Sequence, residues 1–146
     1  MMNKYLILII ALLALLVGNN VWARDTVNQF SIADVLSKPE NKSRLTGVSL
    51  YFGDQKHPSV TKNHGEFRTN KKTNAFNKTD LEACQWVMMS ALLQLHQRAK
   101  SLGANAVINV KSNYKNNEVS SETEFSCGAG FTTAGVALIG TVVTID

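Results

Sequence analysis

The chain has 146 residues, 45 % of them hydrophobic and 18 % charged, with 15 basic against 11 acidic side chains and a formal net charge of +4. That length suits one domain of ordinary size and leaves little room for two. The mild positive excess favours solubility and weak attraction to anionic surfaces, and it is too small to argue for nucleic-acid binding.

Lys4 and the amino terminus make a positive start, followed by an unbroken apolar run from Tyr5 to Val17. The run has the length of a secretory h-region and falls short of the about 20 apolar residues that a membrane-spanning helix needs. Gly18, Asn19 and Asn20 break it, and Val21-Trp22-Ala23 fits a cleavage site with Val21 at −3 and Ala23 at −1. Residues 1–23 are therefore predicted to be a cleavable signal peptide, the alternative being an uncleaved anchor. Residues 24–146 then form a single α+β domain in the periplasm, with no stable membrane insertion after cleavage. No cysteine follows the site, which argues against a lipid anchor. The two cysteines, Cys84 and Cys127, are an even count, which outside the cytoplasm favours a disulfide. Two buried free thiols are the alternative.

Residues 24–45 read as a polar lead-in with short helical turns, one over Ser31–Leu36 and a second opened by Pro39 as a first helical residue. Val48, Leu50 and Phe52 alternate with polar neighbours, as in a half-buried strand. Residues 54–78 are polar and read as a loop, with a hint of a short strand at Gly65–Thr69. A long helix follows, from Asp80 to about Leu102. Thr79-Asp80-Leu81-Glu82 is a capping box, and Leu81, Cys84, Met88, Ala91, Leu92, Leu95, Ala99 and Leu102 recur at three- and four-residue spacing. Arg98 and Lys100 suit the negative end of the helix, and Gly103 is placed to stop it with a left-handed cap. Strands are expected at 105–114 and 136–145, the latter apolar enough to be central. Between them, Lys115-Asn116-Asn117 marks a turn, Glu122–Phe125 extends a hairpin, and Gly128-Ala129-Gly130 reads as a flexible bend.

The run Ser101-Leu102-Gly103-Ala104-Asn105-Ala106-Val107-Ile108, a helix leading into a GANAV strand, together with the closing Val136-Ala137-Leu138-Ile139-Gly140-Thr141-Val142, resembles the YbjQ-like proteins. Those are small α+β domains, often oligomeric and sometimes labelled heavy-metal binders. The same signature resembles the sensor lipoprotein of the Rcs envelope-stress pathway. The likeness covers residues 80–145. The whole mature chain resembles a narrower exported proteobacterial group through Phe52-Gly53-Asp54-Gln55, Thr69-Asn70-Lys71-Lys72-Thr73-Asn74-Ala75-Phe76, Glu118-Val119-Ser120-Ser121 and Val136-Ala137-Leu138.

Members of that group often carry the label "excinuclease ATPase subunit", against which the residues argue. A phosphate-binding loop ends in Gly-Lys-Ser/Thr at a helix N-terminus, and this chain has no Gly-Lys pair. The resemblance implies a four- or five-stranded, mostly antiparallel sheet packed on one long helix, with 105–114 paired to 136–145. In that topology 115–133 is an excursion beside the start of the helix, and Cys84 and Cys127 come within reach of each other.

The residues offer no catalytic constellation and no cofactor motif. Cys84 and His96 are twelve residues apart on one helix, about 18 Å, too far to act together. His57, His64 and His96 show no metal-ligand spacing and read as surface histidines. Lys62, Arg68, Lys71 and Lys72 form a basic stretch that can grip anionic lipid, glycan or other envelope material, or simply be a solvated loop. Trp86, Met89 and Leu93 form a second stripe off the main helix face. It reads either as extra core beneath 24–45 or as an interface for self-assembly or a partner, for which aromatic and Met side chains are the favoured types. The expectation is a non-enzymatic periplasmic interaction or envelope-stress module, acting as a homo-oligomer or with an envelope protein. Its alternative is a binder of anionic material or a small ligand through the basic stretch.

Overall fold

The structure, a computed structural model, describes residues 25–146; the expected signal peptide lies outside them. The elements run β1 (Asp25–Ser31), α1 (Ile32–Leu36), α2 (Pro39–Arg44), β2 (Ser49–Phe52), β3 (Val60–Asn74), α3 (Asp80–Ser101), β4 (Ala106–Tyr114), β5 (Asn117–Val119), β6 (Glu124–Gly130) and β7 (Thr133–Ile145). Among the described residues seven strands form one curled sheet around a single long helix, an α+β fold of the expected kind with more strands.

β7 organises the sheet. Its run Ala134–Leu138 is almost entirely aliphatic or glycine, and its side chains are buried on both faces. One edge of β7 is lined by β3 from Val60 opposite Ile145 to Asn74 opposite Thr133. The other edge is shared. β6 takes Ala134 and Gly135, and β4 takes the stretch from Leu138 to Val143. β1 adds to the outer edge of β6, and β2 pairs with β4 in parallel. The expected pairing of 105–114 with 136–145 holds. β4 also turns back tightly onto β5 through Lys115 and Asn116, both at positive φ, before the chain crosses to β6.

α3 begins as the sequence predicts, with the Thr79 hydroxyl accepting from Glu82 N at 3.1 Å. It ends at Gly103 with φ +68. Val87, Met88, Ala91, Leu92, Leu95 and Ala99 face the sheet, each fully buried. Burying a side chain of the Leu, Met or Val kind stabilises by roughly 1.5–3 kcal/mol. Leu81 and Leu102, counted on the apolar face by spacing, lie at the helix ends and stay substantially exposed. A smaller apolar cluster of Ala106, Ile108, Val143 and Ile145 packs with Tyr51 beside the main core.

Three sequence expectations need correcting. Residues 60–74 are not a loop but the longest strand, because β7 offers a full edge and Phe67 and Thr69 alternate inwards while the intervening residues stay wet. β1 was hidden by its polar composition, and its extended form comes from pairing with β6. Gly128-Ala129-Gly130 is no flexible bend but strand, buried at Gly128 and Ala129. A Cβ on Gly128 would fall 2.0 Å from the Tyr114 ring, and one on Gly135 would lie 3.3 Å from it. These glycines are flat floor for an aromatic ring.

Cys84, in the second turn of α3, is bonded to Cys127 of β6 across 43 residues. Loop closure of that length in the unfolded chain corresponds to about 4 kcal/mol. Cys84→Ser with Cys127→Ser is expected to lower stability by about 2–5 kcal/mol, read from urea unfolding of oxidised wild type against the variant. Gly128→Ala should cost about 1–3 kcal/mol by overpacking, and most of that cost should vanish in a Tyr114→Ala background, as a double-mutant cycle would show.

Candidate functional site

Two surfaces combine exposed aromatic side chains with polar groups. The first lies where α2 meets the N-terminal half of α3. Pro39 at the first position of α2 and the Asn41 amide, which donates to Val35 O at 2.8 Å, fix the short helices against each other. Lys38 Nζ donates to Gln85 Oε1 at 2.8 Å and ties them to α3. The junction leaves a groove of ≈ 180 Å³ lined by Lys38, Glu40, Asn41 and Arg44 on one side and by Glu82, Gln85, Trp86, Met89 and Ser90 on the other.

The stripe Trp86, Met89, Leu93 is therefore split. Met89 is buried beneath the junction, Leu93 is half-buried against the core, and Trp86 is 67 % exposed at the groove. The charges around it alternate in sign, two cations against two carboxylates. This is the composition of a polar rim around an apolar contact rather than of an anion trap.

The second surface is built on the glycine floor. Tyr114 lies against Gly128 and Gly135, and Lys72, Lys115 and Phe131 complete a groove of ≈ 400 Å³. Phe131 is 73 % exposed and meets Phe76 edge to face, with ring centroids 5.7 Å apart. Lys115 is hydrogen-bonded to Asp25, which holds its ammonium above the ordinary lysine pKa, first through that bond and then through the carboxylate charge. Phe131 belongs to no periodic pattern or motif in the sequence. The available signal was an aromatic residue at the tip of a Gly-rich turn.

The four basic residues read as one stretch are divided by strand register. Arg68 lies opposite Ile139 and Lys72 opposite Gly135, on the face away from α3. Lys62 opposite Thr144 and Lys71 opposite Val136 share the α3 side. Arg68 is also paired with Glu66 at 3.7 Å. Lys72 joins Lys115 at the groove beside Tyr114, and Arg68 borders, with Arg98, a groove near the end of α3.

The histidines are not all surface groups. His96 is buried, and its Nε2–H donates to Thr46 O at 2.9 Å, locking α3 to the turn before β2. His64 Nε2 sits 2.9 Å from Thr144 Oγ1, and the His57 ring packs edge-on against Tyr51. Among the described residues no cluster of His, Cys, Asp and Glu is arranged to hold a metal ion, and no helix is long and apolar enough to cross a membrane. No family model, curated protein or solved structure matches the chain.

The two roles within the stripe separate in stability. Met89→Ala is expected to cost about 2–5 kcal/mol, whereas Trp86→Ala should fall within about 0.5 kcal/mol of wild type, both read from urea midpoints.

Proposed function

We propose that the chain is an exported, non-enzymatic interaction module of the periplasm, working as a homo-oligomer or with an envelope protein. This is the kind of role implied by its likeness to YbjQ-like domains and the envelope-stress sensor. The observation that carries the reading is Trp86, 67 % exposed beside the α2–α3 groove. A tryptophan in such a position leaves a large apolar surface in water, and tryptophan is among the residues that dominate interface energetics. Two positions earlier, Cys84 bonds the helix to β6, so the indole projects from a backbone held in place. A disulfide also suits an oxidising compartment. The apolar run Tyr5–Val17 and the Val21-Trp22-Ala23 site supply the export step.

A second reading, attachment to anionic envelope material, draws on Lys62, Arg68, Lys71 and Lys72 lying along one edge strand with a single acid, Glu66. Such binding would weaken as salt rises.

Light scattering on the chain beginning at Arg24 tests the interaction reading. The other tryptophan is Trp22, so in this chain fluorescence reports Trp86 alone. The expected result is an oligomer in which Trp86 emission is blue-shifted, reduced to a monomer by Trp86→Asp with stability changed by no more than about 0.5 kcal/mol. A wild-type monomer whose emission is unmoved by envelope protein fractions would sink this reading.

A further inference from the structure

At the other end of α3 a separate groove of ≈ 270 Å³ opens between the helix and the middle of β3. Gln94, Leu95, Gln97, Arg98 and Ser101 line it from the helix, and Phe67, Arg68 and Thr69 from the strand. Thr69 is only 5 % exposed, and its Oγ1 is buried without a hydrogen-bond partner. Buried hydroxyls in folded proteins are nearly always paired, because leaving one unpaired forfeits its hydration with no return. Thr69 lines the groove wall with this oxygen just beneath the surface, so pairing with an incoming group needs the hydroxyl to turn outwards.

The charge of the groove has one sign. The Arg98 guanidinium lies over the Phe67 ring, 5.0 Å from the centroid. Stacking of that kind fixes the plane of the fork and leaves its N–H edges available. No ion pair among the described residues engages Arg98. No carboxylate among the described residues lines the groove. Gln94 and Gln97 add exposed amides able both to donate and to accept.

We propose that this groove binds a small organic carboxylate, its carboxylate held by Arg98 and a hydroxyl or amide of its body paired with Thr69 Oγ1 and the two glutamines. A planar, stacked guanidinium matches a carboxylate in a two-bond fork. The volume, equal to about nine waters in the liquid, suits a molecule of amino-acid or sugar-acid size. The inference stands apart from the Trp86 surface, twelve residues or about 18 Å away along the helix.

Amide chemical-shift titrations of the purified protein test it, with a panel of acetate, glucuronate, citrate and N-acetylglutamate, and with glucose and sulfate as neutral and inorganic controls. At least one organic carboxylate should shift Thr69, Gln94 and Arg98 saturably, while glucose does not and sulfate binds at least about tenfold more weakly. Arg98→Gln should lower affinity roughly ten- to hundredfold, Arg98→Lys less, and Thr69→Val roughly tenfold. Failure of every carboxylate to saturate, equal binding of sulfate, or shifts unchanged in Arg98→Gln would overturn the proposal. So would a Thr69→Val protein that is more stable than wild type and binds equally well, since the hydroxyl would then serve no ligand.

Discussion

A strand apolar on both faces must have partners on both edges and cover on both sides, because each unpaired backbone group or bare aliphatic side chain in it is costly. β7 is that strand, and meeting its demands accounts for most of the architecture. β3 fills one edge for its whole length. The other edge needs two strands in succession, β6 and then β4, because the chain reaches it from two directions. α3 covers one face with a row of fully buried side chains. Even the closing backbone is secured, with the Asn105 amide both accepting from Ile145 N at 2.8 Å and donating to Ile145 O at 2.9 Å.

Sharing one edge between two strands creates the feature on which the second surface rests. Where β4 gives way to β6, the end of β4 has no β7 partner, and Tyr114 lies across the junction instead. The ring needs a floor without side chains, which Gly128 and Gly135 provide from opposite strands. The disulfide from Cys127 to Cys84 anchors the same strand to the helix from the other face. The excursion 115–133 is therefore held twice, by a covalent bond within the core and by an aromatic lid outside it.

α3 sets the distribution of the candidate sites. Its buried face belongs to the sheet, and its flanks are left to shorter elements that cover them incompletely. Near its start α1 and α2 bury Met89 and stop short of Trp86. Near its end β3 runs alongside at a distance that leaves Thr69 Oγ1 without a partner and Arg98 resting on Phe67. Both grooves are places where a helix meets an element too short or too far off to complete the contact. That is why exposed aromatic, cationic and unpaired polar groups gather there.

The long helix, its cap at Thr79, its stop at Gly103, the two short turns before Leu45 and the strands at 105–114 and 136–145 were legible in the sequence. Each is governed by contacts within a few residues, such as a hydroxyl on a nearby N–H, a 3.6-residue apolar repeat or a β-branched run. The polar strand β3, the edge strand β1 and the buried glycines of β6 were not. Their residues carry no local preference for those states: β1 and β3 are extended by partners more than fifty residues away, and the β6 glycines are buried by the Tyr114 ring and by β7. The sites divide in the same way. Spacing singled out Trp86, but only packing separated it from Met89, three residues on. A basic run was visible in the sequence, yet strand alternation sent its members to opposite faces. Thr69 became a candidate solely because the folded chain buried its hydroxyl and left it unpaired. Sequence by itself determined what local periodicity and capping can encode; tertiary structure decided which surfaces remain open, because exposure depends on what distant segments fail to cover.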